Sequence, residues 1–247
     1  MQPLIDIPDA VQAVVPPKFV SEGAAMYHEL RKRGTSLDWA LAQSRIPRIS
    51  PRRNPGYYLL MPPRFSQLTM DQLDAQQRAL GEQIMKVSRV GLGGPYNSML
   101  RSPVFSQRMF DLLAYLRWNT SVPLRLNELA ILIVAREWRS QVEWFAHAPI
   151  AIKAGLSPQI VAELKTNRRP SQMPEEETAV YDLVTELIRT HAVSDATFAR
   201  ARQLFGEQQL VDLAAVAGTY LTLAMLLAMA EQSVPDGEEL PFKPGEP

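Results

Sequence analysis

The 247-residue chain contains no cysteine. Disulfide bonds and thiolate metal sites are therefore excluded, as is any reaction in which a thiol of this chain acts as nucleophile or redox group. A chain without cysteine suits a reducing compartment. The first residues, Met-Gln-Pro-Leu-Ile-Asp, also lack the basic start and the apolar run of a signal peptide. We therefore expect a cytoplasmic protein.

Histidine is scarce, and neither sign of charge is in excess. No two of the three histidines, His28, His147 and His191, have the spacing of a metal-ligand pair on one helix, so a zinc site is not predicted. Lys+Arg and Asp+Glu both number 26, so no net field draws the chain to nucleic acid or to an anionic membrane. We expect a small-molecule substrate, no cofactor or metal, no nucleic acid and no membrane.

Strand-like alternation of apolar and polar residues is missing, as are a Gly-rich phosphate loop, a nucleophile elbow and a sustained heptad repeat. Apolar residues at helical spacing are abundant instead, so the predicted fold class is all-α, a helical bundle. The uncharged stretch 213–230 is near the lower length limit for a membrane span, but it lacks a basic anchor at its C-terminal end. We favour a helix buried on all sides.

Proline density divides the chain into three parts. Residues 1–65 are predicted to form an extended, proline-rich N-terminal arm with short helices near 19–32 and 36–43, because closely spaced prolines prevent long regular elements. The apolar run 57–61 within this arm leaves two interpretations open: a solvated linker, or a strap over this subunit or a neighbouring one. Residues 66–235 form the helical domain, and 236–247 form a loose tail.

Capping signals set the expected helix boundaries within the domain. Thr69-Met-Asp-Gln72 is a capping box that predicts a helix over 69–90, and apolar spacing predicts another over 104–118. Ser157, followed by proline, has the residue types that begin a helix. Further helices are expected over 157–165, 174–190, 194–205 and 207–232.

The middle of the chain places ionisable side chains inside an otherwise apolar helical sequence. Ser140, Glu143 and His147 are three and four residues apart, so on one helix they share a face. Glu128 would lie roughly 22 Å before Glu143 on a straight helix, so the chain must bend to bring it close. Ser140-Gln-Val-Glu143 fits a capping box, which predicts a second helix starting at Ser140 and Glu128 folding back towards His147. Pro149 predicts a kink just after the histidine.

Short motifs at and around this stretch resemble a known family. Glu128-Leu-Ala-Ile-Leu is followed by Glu143-Trp144-x-x-His147-x-Pro149 and then by Ala154-Gly155-Leu156-Ser157, with a thinner likeness at Gly94-Pro95-Tyr96-Asn97. Together they resemble the carboxymuconolactone decarboxylase family, which also contains the alkylhydroperoxidase-like proteins. The likeness covers about residues 62–235 and implies an alkylhydroperoxidase-like helical bundle.

The same resemblance bears on the chemistry. In the peroxidase branch, a glutamate is followed at twelve, fifteen and nineteen positions by two cysteines and a histidine. The matching residues here are Glu128, Ser140, Glu143 and His147, so the acid and the imidazole match while both thiols are replaced. The resemblance therefore implies the non-redox, decarboxylase-like branch, and thiol peroxidase activity is not expected.

The expected catalytic residues are Glu128, Glu143 and His147, with a carboxylate holding the imidazole ready to exchange a proton near neutral pH. Two nearby arginines, Arg136 and Arg139, are expected to clamp a substrate carboxylate. The remaining substrate-binding candidates are Tyr96, Asn97, Trp144 and Ser140.

Structural roles remain open for the same residues. Ser140 and Glu143 could be only the two halves of a capping box, and Glu128 could pair with Arg136. His147 could be a satisfied core residue, and the arginines could be partners in surface salt bridges.

The leading hypothesis is a cofactor-independent acid/base enzyme that decarboxylates a small unsaturated carboxylate or lactone from aromatic-compound catabolism. Cis/trans or double-bond isomerisation of a ring-cleavage product would use the same groups. The alternative from another class is a non-catalytic helical oligomerisation or ligand-binding protein. A homo-oligomer, as a dimer, trimer or hexamer, is expected because a mostly apolar helix set with a long arm usually shares surface with copies of itself.

Overall fold

The computed structural model describes residues 63–88 and 91–243. The chain divides into two compact units, Met1–Arg52 and Arg53–Pro247, and the described residues all belong to the second. The two short helices and the apolar run 57–61 of the predicted arm lie outside the described residues.

The described residues contain eight α-helices and no strand, which confirms the all-α prediction. The helices are α1 (Ala75–Val87), α2 (Pro95–Met99), α3 (Pro103–Ala114), α4 (Leu124–Glu137), α5 (Gln141–Lys153), α6 (Pro158–Lys165), α7 (Glu175–Thr190) and α8 (Asp195–Ala230). A 3-10 turn, Met70–Gln72, precedes α1, and a π-helical turn, Tyr115–Asn119, follows α3.

The helix expected over 69–90 begins later than its first capping box indicated. Thr69 and Gln72 do form that box, but it opens only the 3-10 turn. Leu73 is then extended and buries its side chain in a small core cluster with α1 and α2, which breaks the helical path. A second capping box, from Asp74 with Gln77, starts α1. Only one of two consecutive capping boxes can begin a given helix. Because Leu73 is extended and buried between them, α1 begins at the second box.

Helix α4 forms the centre of the bundle. Every residue from 126 to 136 is buried, and α4 packs against α5, α7 and α8. Such a helix, buried on all sides and mostly apolar, is stable in water only when neighbouring elements cover every side. Asn127 is one of its few polar residues, and its Nδ2 donates to the carbonyl of Leu116 at 2.6 Å, which ties the π-helical turn to the start of α4.

Helix α8 is interrupted at Gly206, as the predicted pair of helices over 194–205 and 207–232 required. Gly206 has φ 70° and ψ 176°, a backbone conformation that essentially only glycine adopts. Beyond it lies the uncharged stretch. By length and composition α8 could cross a membrane, and half of its most apolar window is buried inside the protein. Its apolar side chains supply part of the main core around α4.

The C-terminal segment up to Lys243 is docked, whereas the sequence led us to expect a loose tail. Phe242 is 3% exposed and belongs to the main core. The side chain of Gln141 hydrogen-bonds to both backbone polar groups of Phe242. Its Nε2 donates to the Phe242 carbonyl at 2.7 Å, and its Oε1 accepts from the Phe242 amide at 2.9 Å. The buried ring and these two hydrogen bonds together anchor a segment that has no regular structure of its own.

Candidate functional site

Helices α4 and α5 form a hairpin through a three-residue turn, Trp138 to Ser140. Arg139 has φ 49°, in the left-handed region, and the amide of Ser140 donates to the carbonyl of Ala135 at 2.8 Å. This is the hydrogen-bond pattern of a Schellman turn, which satisfies carbonyls at the end of α4. The chain therefore doubles back where the sequence predicted, but the turn depends on the backbone of Arg139.

The predicted Ser140–Glu143 capping box is wrong. Ser140 is the N-cap residue of α5, yet its side chain makes no capping hydrogen bond. Glu143 is buried, at 3% exposed, and the Ser140 amide that its carboxyl would have to accept from donates to the Ala135 carbonyl instead. Helix α5 also continues through Pro149, which lies on its solvent-exposed side. Water can solvate the carbonyl that the proline leaves without a helical donor.

The hairpin brings Glu128 against His147. The Oε2 atom of Glu128 lies 2.7 Å from Nδ1 of His147, and the two residues are 1% and 7% exposed. A carboxylate in this position accepts a hydrogen bond from Nδ1–H, so it fixes the tautomer and leaves Nε2 to exchange protons. In a buried site, removal of either partner would leave the other without compensation.

Tyr220 of α8 packs against the other side of the imidazole. The two ring centroids are 5.0 Å apart and the ring planes meet at 89°, an edge-to-face contact. Burial raises the pKa of Tyr220 well above its usual range; the charge of Arg117 opposes this, and Glu128 with Glu143 reinforces it. The phenol is therefore a neutral hydrogen-bonding group at any physiological pH.

Glu143, one helical turn before His147, has different surroundings. Both of its carboxyl oxygens are buried and none of the described residues hydrogen-bonds to them. Burial raises the pKa of Glu143 from 4.5 to about 8, although the nearby Ser140 hydroxyl acts in the opposite direction. The positive end of the α5 dipole also favours the ionised form, but by only about 1 kcal/mol, too little to offset burial. At pH 7 Glu143 is therefore mainly a neutral acid.

The two arginines converge on the C-terminal segment. The guanidinium groups of Arg136 and Arg139 lie 5.1 and 5.9 Å from the centre of the Phe242 ring, and Trp144 meets that ring edge-on at 5.1 Å. Arg139 also donates to the Lys243 carbonyl at 3.0 Å. Arg136 is eight residues beyond Glu128 on α4, about 12 Å along the helix axis, so the structure does not bring this arginine to the Glu128–His147 contact.

Tyr96 and Asn97, at the start of α2, have separate environments. Tyr96 is half-buried and lies close enough to Tyr220 for the two phenol groups to interact electrostatically. Asn97 is fully buried, and its carboxamide accepts from the Leu68 amide at 3.0 Å and donates to the Leu68 carbonyl at 2.9 Å. These bonds hold the segment before α1, in place of the substrate contact that the resemblance implied.

A cavity of about 260 Å³ opens beside the hairpin turn. Ser140 and Arg139 line it from the turn, the second half of α8 lines it from the opposite side, and Phe242 lines it from the C-terminal segment. Ser140 is 8% exposed, and no described residue hydrogen-bonds to its Oγ. Glu128, Glu143 and His147 do not line this cavity.

Sequence reasoning missed Tyr220 and Phe242. Tyr220 is the one aromatic residue in the uncharged stretch 213–230, and a phenol inside such a helix signals a polar neighbour. Phe242 stands among prolines and carries no local signal, because its partners are about a hundred residues away in sequence. No group of three or more histidine, cysteine or acidic side chains suited to a metal occurs in the part of the chain that the structure describes.

The helical bundle with its central α4–α5 hairpin is an alkylhydroperoxidase-like fold. The structure of the alkylhydroperoxidase AhpD core of an uncharacterized peroxidase-related protein from Ralstonia eutropha JMP134 matches with a TM-score of 0.60 over 71% of this chain and 94% of that one. At 14% identity this likeness establishes the fold. No protein-family model and no curated protein matches the chain.

Proposed function

We propose that the chain is a cofactor-independent acid/base enzyme whose proton-transfer pair is Glu128 and His147. The observation that carries this proposal is the buried 2.7 Å contact between the carboxylate and the imidazole. A buried polar pair contributes little net stability compared with well-packed apolar residues, so its presence in the core favours a chemical role.

Glu143 supplies a second group that can transfer a proton, and it is protonated at neutral pH. Its pKa of about 8 makes it a carboxylic acid at neutral pH, while the Glu128 carboxylate orients the imidazole. A protonated carboxyl beside an oriented imidazole gives an enzyme one group that can donate a proton and one that can accept a proton in the same cycle.

The substrate class we favour is a small unsaturated carboxylate or lactone, with decarboxylation as the reaction. Loss of CO₂ leaves an electron pair on a conjugated carbon, and proton delivery to that carbon completes the step. Double-bond or cis/trans isomerisation would use the same groups, since it too moves a proton between carbons. The sequence resemblance supports the substrate class, and the chain's lack of cysteine argues against a thiol peroxidase.

The test is turnover of a panel of muconolactone-type acids, measured by CO₂ release and by loss of absorbance of the conjugated acid. His147→Ala should reduce kcat at least a hundredfold and Glu128→Gln at least tenfold, because general acid/base catalysis typically contributes about 10²–10⁴-fold. Glu82→Gln, at an exposed carboxylate of α1, serves as a control that should retain wild-type turnover.

A non-catalytic ligand-binding or oligomerisation protein is the second candidate. Two observations favour it: Glu128 and His147 satisfy each other, and the cavity is lined by other residues. Under this alternative, both variants would unfold at lower temperature while the wild-type protein shows no turnover of any panel member.

A further inference from the structure

The cavity beside the hairpin turn has an apolar body and a polar end. Leu227, Leu240 and Phe242 contribute apolar walls, and the turn contributes Arg139 and the Ser140 hydroxyl. A cavity of about 150 Å³ holds benzene, so by proportion this one, of about 260 Å³, accommodates about ten non-hydrogen atoms. That is the size of one six-membered ring bearing one small substituent.

The polar end has the features of an anion site. Helix α5 begins at Gln141 without a side-chain cap, so the first amides of a thirteen-residue helix lack an acceptor from the Ser140 side chain. The Ser140 Oγ atom is buried, lines the cavity and has no hydrogen-bond partner among the described residues. A buried hydroxyl beside an uncapped helix start is complementary to a carboxylate, which accepts hydrogen bonds from both.

Charge in the cavity does not oppose an anion. Glu231 lines the far side, but Arg64 pairs with it at 2.7 Å and neutralises its charge. Arg139 contributes positive charge at the turn while its guanidinium lies over Phe242. The local balance is therefore favourable for a ligand with a single negative charge.

We propose that this cavity binds a compact monocarboxylate with an apolar ring or short chain, with its carboxylate at Ser140 and the start of α5. Identifying this ligand with the substrate rests on the proposed function, whereas the binding itself does not. Ser140 would then link the cavity to the catalytic residues, because it lies one helical turn before Glu143 at the start of the same helix.

Calorimetric titration with benzoate, and with benzamide as the uncharged analogue, tests the proposal on the full chain. The wild-type protein should bind benzoate with a dissociation constant on the order of 1 mM or tighter, and benzamide at least tenfold more weakly. Ser140→Ala should weaken benzoate binding about tenfold and leave benzamide binding unchanged, because only the anion loses a charge-assisted hydrogen bond.

Two substitutions on α8 separate filling of the cavity from general disturbance of the helix. Ala228→Phe places a ring in the cavity and should abolish binding of both compounds. Met225→Phe is the matched control, because Met225 is exposed on the same helix and does not line the cavity; binding should be unchanged. Thermal unfolding of each variant verifies folding. Equal affinity for benzoate and benzamide, or wild-type affinity in both Ser140→Ala and Ala228→Phe, would overturn the proposal.

His147→Ala distinguishes the binding proposal from the proposed function. Retention of benzoate binding with loss of turnover supports both. Benzoate binding by a wild-type protein that turns over no acid leaves the cavity assignment standing and refutes the enzyme. Turnover without benzoate binding or competitive inhibition by benzoate refutes the cavity assignment alone.

Discussion

Glu128 and Glu143 are both almost fully buried in the α4–α5 hairpin, and they differ in what surrounds their oxygens. Glu128 contacts an imidazole at 2.7 Å, whereas neither oxygen of Glu143 has a hydrogen-bond partner among the described residues. Burial alone disfavours a carboxylate, and a partner offsets that effect. One hairpin can therefore hold a carboxylate paired with a base next to a carboxyl that remains protonated.

The largest expected effect comes from breaking the Glu128–His147 pair. His147→Ala leaves the Glu128 carboxyl buried without its partner, so the free energy of unfolding should fall by about 3–5 kcal/mol. Urea denaturation at pH 7 measures this change. The double variant Glu128→Leu, His147→Ala should recover part of the loss, since no unpartnered carboxyl remains. A double variant less stable than the single one would show that the pair is not the source of the effect.

Burial of the Glu143 carboxyl should make the free energy of unfolding depend on pH. The folded-state pKa of Glu143 is raised from 4.5 to about 8, so between these pH values the folded protein binds a proton that the unfolded chain has released. The stabilisation from this bound proton is fully present below pH 4.5 and is lost as pH rises through 8, by about 5 kcal/mol in total. Urea denaturation at intervals from pH 5 to 9 should show this decline.

Glu143→Gln removes the titrating group while keeping its size. Its stability should decline less steeply than that of the wild-type protein over the same pH range, so the gap between the two curves should widen from pH 5 and be largest above pH 8. Glu82→Gln, at an exposed carboxylate of α1, serves as the comparison variant. Parallel curves for the wild-type protein and Glu143→Gln would mean that Glu143 is ionised in the folded protein at neutral pH.

Phe242 connects the two arginines to the Ser140 end of the hairpin, away from the Glu128–His147 pair. Phe242→Ala should lower the free energy of unfolding by about 3 kcal/mol, because a buried ring leaves a cavity, and Phe242→Leu by about 1 kcal/mol. Turnover by the Glu128–His147 pair should change less than benzoate binding. Thermal unfolding and calorimetry measure the two effects, and an unchanged melting temperature in Phe242→Ala would contradict the docked position of the segment.

The smallest expected effect concerns the turn between α4 and α5. Arg139 has φ 49°, which costs a residue other than glycine about 1 kcal/mol. Arg139→Gly and Arg139→Ala both lose the contact with Phe242, but only glycine relieves the backbone. The glycine variant should therefore be about 1 kcal/mol more stable than the alanine variant in urea denaturation. Equal stability would mean that the turn rearranges in one of them.

Several local signals in the sequence were informative. Ser157 caps α6 through a hydrogen bond to the Gln159 amide, and the helix expected from 174 begins at Glu175. The bend between Glu128 and His147 was also predictable, because their separation on a straight helix was too large for the role that the resemblance implied. The position of a helix end, and the distance between two residues of one hairpin, depend on residues that are close in sequence. Sequence patterns can therefore predict them.

Contacts between distant segments were not predictable in this way. The 140–143 pattern has the residue types of a capping box, yet tertiary burial directs Glu143 inward. The docking of Phe242 and the engagement of Asn97 with Leu68 depend on partners far away in sequence. Local spacing contains no information on such partners, so the substrate-binding set was less accurately placed than the Glu128–His147 pair.

Gly206 determines the direction in which the first part of α8 leaves the bundle. A methyl group added at this glycine would meet no atom within 4 Å, so the obstacle to any other residue is torsional, about 1–3 kcal/mol. An alanine there would favour a single straight rod. A straight helix would move the section containing Phe198 and Ala201 away from its present packing partners. Ala201, which is now fully buried, would then be exposed to solvent. The angle between two segments of this molecule is thus encoded by one residue without a side chain.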